Sequence, residues 1–171
     1  MAHQQQKEFI KKVKSIYPEK FTGVTVIDCG SLDVNGSFKD LFNNSEYIGA
    51  DIVAGKNVDI VSKTHELDFE DKFDTVISGE MLEHDEFWKQ SLQKMYDMCV
   101  SGGLIAITCA GKNRPEHGTL RTGNIWGTSD NSYKNLTPED FKEVYKDNMF
   151  TKTHYEEQDF PSDTYFYGIK K

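Results

Sequence analysis

The residues that could do chemistry fall in three stretches. In VTVIDCGSLDVNG (24–36), Asp28 ends an apolar run and Gly30 follows it. Glycine admits a ligand close to the backbone. An acid at that point suits a cationic or hydroxyl-bearing ligand better than a bare phosphate. Asp51, 21 residues after Gly30, lies at the end of a second apolar run, YIGADI (47–52). A carboxylate at that spacing can accept hydrogen bonds from both hydroxyls of a ribose. In SGEMLEH (78–84), Glu80, Glu83 and His84 gather behind another apolar run. Farther on, RPEHG (114–118) sets Arg114 beside Glu116 and His117, with Tyr133 following. Each has a plainer reading too. Asp51 serves equally as a helix cap or loop acid, His84 as a cap of the next helix, and Arg114 as a staple for its loop.

The elements that must position these residues follow from the apolar periodicity. Phe9, Ile10, Val13, Ile16 and Tyr17 predict an amphipathic helix over 7–17, stopped by Pro18, with 3–6 polar and frayed. Val24, Val26 and Ile27 predict a strand ending at Asp28. Phe38, Leu41 and Phe42 then share one face of a short helix over 37–42. Its first amides would crown the Gly30 turn. Strands follow at 47–52, 58–61 and 73–79. A helix over 87–100 ends at Gly102-Gly103, and the apolar LIAITCA (104–110) predicts a central strand. The stretch 111–136 carries both arginines and Trp126, and loops of that length are usually functional. Thr137-Pro138-Glu139-Asp140 is a clean helix start. Two alternating runs, 149–155 and 164–169, should pair antiparallel. Strand–helix alternation predicts one α/β domain over 1–171, a parallel sheet with helices on both faces and ligands at the carboxyl ends of its strands.

Composition narrows the partners. The net charge is −8, and there are only two arginines against 18 lysines. That balance disfavours nucleic acid, whose readers favour arginine on a basic face. No apolar run approaches the ~18 residues of a membrane span, and the first residues are polar rather than leader-like. Cys29, Cys99 and Cys109 sit in apolar stretches and read as buried thiols in a reducing, cytoplasmic setting. No CxxC or HxxxH spacing suggests zinc, so no metal is expected.

Together the acidic first turn, the second-strand acid, the FD-strand-LEH segment, the SGG-strand and the final antiparallel pair resemble class I S-adenosylmethionine-dependent methyltransferases, small ones of the type 11/12 kind. The likeness covers about 24–171. It implies a Rossmann-like three-layer sandwich with a mostly parallel, seven-stranded sheet whose last strand is antiparallel. It implies S-adenosylmethionine as cofactor and S-adenosylhomocysteine as product. Asp28 and Gly30, with Ser31 beside them, would lie under the methionine and ribose. Asp51 would hold the ribose hydroxyls and Ile52 would pack on the adenine. Thr64 and His65 would border the adenine edge. Ser78, Gly79 and Glu80 would line the methionine end. Leu32 and Val34 replace family glycines, and Lys63 stands where many members place an acid on the adenine amino group. Backbone groups or His65 would then hold the adenine.

Methyl transfer needs alignment first, and a base only where the acceptor keeps its proton. The likeness makes His84 that base, with Glu83 or Glu80 as partner. Arg114, His117 and Tyr133 would meet the acceptor. The expected reaction is transfer of a methyl group to an O or N nucleophile of a small molecule. The alternative is a non-catalytic S-adenosylmethionine-binding domain serving as partner or regulatory subunit. A nicotinamide enzyme would want GxGxxG after the first strand. A DNA methyltransferase would want an Asn/Asp-Pro-Pro-aromatic motif where this chain has SGEMLEH. Exposed aromatics in the long loop would allow a homo-oligomer.

Overall fold

The computed structural model describes residues 4–34, 36–123 and 131–171. Its centre is one seven-stranded sheet in the order β3-β2-β1-β4-β5-β7-β6. The strands are β1 (Thr25–Cys29), β2 (Glu46–Asp51), β3 (Ile60–Val61), β4 (Phe73–Gly79), β5 (Cys99–Ala110), β6 (Phe150–Glu157) and β7 (Asp163–Lys170). The first five run parallel. β7 is antiparallel to both β5 and β6, as the alternating C-terminal runs predict.

Each sheet face carries its own core. On one, α1 (Gln4–Ile16) packs Phe9, Ile10 and Val13 against Val26, Ile77, Ala106 and Tyr165. On the other, α2 (Trp88–Met98) and α3 (Pro138–Val144) bury Leu92, Met95 and Phe141 against Ile27, Val76 and Ile105. β1 and β4 are buried almost throughout because both faces are covered. Thr137 and Asp140 close α3 with a reciprocal capping box, and Pro138 opens its first turn.

The boundaries differ from the sequence pattern in three instructive places. No α-helix follows the Gly30 turn; a single 3₁₀ turn, Lys39–Leu41, stands there. Phe38 is buried under Gly79, and Phe42 stacks on Phe21 at 4.7 Å. With the chain pinned on both sides, only one turn fits. Second, Gly102 and Gly103 do not cap α2. That helix ends at Met98 and passes directly into β5, whose register against β4 shifts between Phe73 and Thr75. Third, residues 4–6 are not frayed. They form the first turn of α1, and Gln6 is fully buried. The three cysteines are buried free thiols. Among the described residues, no helix is long and apolar enough to cross a membrane.

Candidate active site

The carboxyl edge of the sheet holds two adjoining sets of groups. The first is built on β1 and β2. Gly30 turns the chain at φ 86°, and a Cβ placed there would lie 2.5 Å from that of Met81. Both the conformation and the contact therefore require glycine. The Gly30 and Ser31 amides share the Ala50 carbonyl at 2.8 and 3.1 Å. Asp51 accepts from the Leu32 amide with one oxygen and from the Val53 amide with the other, both at 3.1 Å. A carboxylate oxygen has two lone pairs, so each retains capacity for a hydroxyl.

Asp28 is 4% exposed and accepts from the Tyr47 hydroxyl at 2.6 Å. Burial pushes its carboxyl up to about 6, against the partial relief of that hydrogen bond. An approaching cation would draw it back down. A shallow, narrow cleft opens beside it, between the Gly30–Leu32 turn, Gly36–Phe38 and Gly79. Because the expected helix is one 3₁₀ turn, this cleft owes nothing to a helix dipole. Its polar wall consists of Asp28, Ser31 and Ser37. The Ser31 hydroxyl is buried without a hydrogen-bond partner.

Ile52 is 43% exposed just past Asp51, an apolar plate open to a ligand. Thr64 is buried, and His65 leans on Phe87 with ring centroids 4.5 Å apart. Lys63 turns to the same ring, its Nζ 4.8 Å from the centroid. Ser78 donates to the Cys29 carbonyl at 2.7 Å, so its hydroxyl straps β4 to β1 and leaves Gly79 to face the cleft.

The second set begins one residue later. Glu80 adopts a left-handed conformation, φ 54°, uncommon for a residue with a Cβ. That turn directs its buried side chain to Gln6, which donates to it from α1. Arg114 Nη2 lies 3.7 Å and His117 Nε2 3.4 Å from the other Glu80 oxygen. Arg114 also pairs with Asp163 of β7 at 2.5 Å, which makes it the anchor of the loop after β5. Glu83 is 1% exposed, and His117 Nε2 stands 3.9 Å from it. Burial first, then the charge of Glu80, drives the Glu83 carboxyl well above the usual range. The His84 ring meets those of His117 and Tyr133 edge-on, at 5.2 and 5.4 Å. The Tyr133 hydroxyl lies 3.1 Å from His117 Nδ1. His84 does not cap α2. No side chain caps that helix; just before it, Asp85 accepts from the Phe87 amide at 2.8 Å and from the Ser91 hydroxyl.

Every predicted site residue within the described chain thus reaches this one edge, and only Trp126 lies outside the described residues. Gln6 and Asp163 were missed. Gln6 carried a signal, for it continues the stripe of Phe9, Ile10 and Val13 at helical spacing. Asp163, the first residue of β7, carried none.

Residues 29–107 match the family model described as a methyltransferase domain. The chain resembles class I methyltransferases. Three solved structures place the fold firmly. The 1,6-didemethyltoxoflavin-N1-methyltransferase of Burkholderia thailandensis, solved with 1,6-didemethyltoxoflavin and S-adenosylhomocysteine, aligns with a TM-score of 0.67 at 15% identity, over 98% of this chain and 80% of that one. An S-adenosylmethionine-dependent methyltransferase from Archaeoglobus fulgidus aligns at 0.64 and 17%, over 96% and 94%. Phosphoethanolamine N-methyltransferase 2 of Haemonchus contortus, solved with S-adenosylmethionine, aligns at 0.70 and 18%, over 98% of this chain but only 52% of its own. A comparison with curated proteins finds no match.

Proposed function

We propose that this chain is a methyltransferase that uses S-adenosylmethionine to methylate an O or N nucleophile of a small-molecule acceptor. The observation that carries the reading is adjacency. Gly79 lines the cleft beside Asp28 and Gly30, and Glu80, the next residue, opens the cluster of Glu83, His84 and His117. Cofactor groups and proton-handling groups thus meet at one point of the sheet edge. The residues fit the cofactor. Asp28 is an under-compensated acid suited to a cationic ligand, Asp51 keeps acceptor capacity for ribose hydroxyls, and Ile52 offers an apolar plate for adenine.

When bound, S-adenosylmethionine supplies an activated methyl carbon on sulfur. The chain's part is alignment and exclusion of water. Ser31, Gly79 and Glu80 border the methionine end, and Thr64 and His65 the adenine end. His84 receives the acceptor's proton where the nucleophile still holds one. His117 and Tyr133 line the acceptor side, with the chain just after β5 fixed by Arg114. A small acceptor is favoured by likeness in fold to a methyltransferase solved with 1,6-didemethyltoxoflavin and to a phosphoethanolamine N-methyltransferase.

Isothermal titration calorimetry with S-adenosylmethionine, S-adenosylhomocysteine and NADH tests the reading. Binding of both sulfur compounds and none of NADH is expected. No heat with either sulfur compound would overturn it. Retained binding with no turnover across an acceptor panel would favour the non-catalytic alternative.

A further inference from the structure

We infer that Glu83, His84 and His117, with Glu80 as a fourth ligand, form a binding site for a divalent transition-metal ion. One donor atom from each of Glu83, His84 and His117 lies within 4.8 Å of the others. Two atoms on opposite sides of an ion with ~2.1 Å bonds stand ~4.2 Å apart, so a small inward movement completes the shell. Glu80 sets a second carboxylate beside this group, its second oxygen 3.4 Å from His117 Nε2.

An independent observation calls for a cation there. Glu83 is 1% exposed, and neither of its carboxylate oxygens has a hydrogen-bond partner. Buried carboxylates are ordinarily paired, hydrogen-bonded or bound to metal. The local cations do not resolve this. Arg114 is engaged by Asp163 at 2.5 Å, and His117 Nε2 is 3.9 Å from Glu83. Two carboxylates and two imidazoles are therefore gathered in one place, Glu80 meeting Gln6, Arg114 and His117, and Glu83 meeting His117 at 3.9 Å. A divalent ion would supply the missing charge, and burial would then strengthen its attraction to both acids.

The donor set selects the metal. Two imidazoles with two carboxylates suit Mn²⁺, Fe²⁺, Co²⁺ or Zn²⁺ better than Mg²⁺ or Ca²⁺, which take oxygen alone. His117 is 35% exposed while both acids are buried, so the ion's open positions would face solvent and the acceptor. With the ion bound, His84 acts as a ligand instead of the base, and a hydroxyl bound there loses its proton to solvent more readily than a free one. Its oxygen then bonds the methyl carbon as the carbon–sulfur bond breaks and the neutral thioether departs. This role rests on the methyl-transfer reading and narrows the acceptor to a hydroxyl compound. Metal binding itself does not depend on that reading.

The test uses the full chain, stripped with chelator and titrated with Mn²⁺, Zn²⁺ and Mg²⁺ by calorimetry, with electron paramagnetic resonance for Mn²⁺. Saturable binding of Mn²⁺ or Zn²⁺, tighter than Mg²⁺, is expected. Glu83→Gln and His117→Ala should each weaken it at least ~10-fold, and His154→Ala, on the far β6 strand, should not. S-adenosylhomocysteine binding, measured in parallel, reports that each variant is folded. The site is overturned by a folded chain that binds neither Mn²⁺ nor Zn²⁺, or by affinities unchanged in both ligand variants. Metal binding without S-adenosylhomocysteine binding would keep the site and remove the methyl-transfer role.

Discussion

The two halves of the carboxyl edge are built differently. On the β1/β2 half, the acids Asp33 and Asp51 are satisfied locally. Asp51 holds the amides of Leu32 and Val53, and Asp33 holds that of Gly36. On the β4/β5 half, Gln6, Glu80, Glu83, Arg114, His117 and Asp163 come from four separated parts of the chain. There the balance is incomplete, with Glu83 buried beside Glu80. A half closed by short-range hydrogen bonds is preformed, and a ligand finds it ready. A half that collects charge from distant segments keeps uncompensated groups, and these are the groups that can act on whatever arrives.

The comparison can be broken most forcefully at Arg114. Arg114→Ala should cost about 3 kcal/mol in chemical denaturation, because it strips Asp163 and Glu80 of a buried partner. A loss under ~0.5 kcal/mol, the scale of an exposed pair, would mean the loop is not anchored there.

Asp28 probes the other half through pH. Its folded carboxyl titrates at about 6, above the unfolded 3.8. Between those values the folded state holds a proton that the unfolded state has released. Stability contributed by this group is therefore full below pH 3.8 and falls as pH rises to about 6. The change amounts to about 3 kcal/mol. Asp28→Asn should remove that slope, and an unchanged slope in urea melts across pH 4–7 would place the effect elsewhere.

Gly30→Ala comes next, at about 2 kcal/mol, from a left-handed backbone and the contact with Met81. It should also diminish S-adenosylhomocysteine binding, which a purely structural turn would not require. Asp51→Ala should weaken that binding by a similar ~2 kcal/mol, the scale of charge-assisted hydrogen bonds. Equal affinity by calorimetry would show that β2 does not end at the ribose. The smallest change is Lys63→Ala, about 0.5 kcal/mol of stability from its contact with Phe87. Since Lys63 turns to that ring, cofactor affinity should not fall with it.

How far each half could be read in the sequence follows from its construction. Asp28, Gly30 and Asp51 lie at the ends of adjacent parallel strands, so their meeting is implied by strand order alone. The seven strands were legible because their apolar runs are short, β-branched and punctuated by glycine. The helix expected at 37–42 was not realised, because periodicity does not reveal that Phe38 would be trapped beneath Gly79. Gly102-Gly103 misled similarly: a glycine pair marks a helix end or a strand irregularity equally well, and the pairing of β5 with β4 selects the second.

By itself, then, the sequence determined the alternating α/β order, the antiparallel final pair, the glycine turn and the acids flanking it. Those depend on periodicity and on contacts between neighbouring strands. The tertiary structure alone decided that Gln6 would reach Glu80, that Arg114 would bind Asp163, and that His117 would face Glu83 and His84. Such contacts join residues many positions apart. They form only when α1, the loop after β5 and the β7 edge close over the same strand ends, and no spacing along the chain encodes that closure.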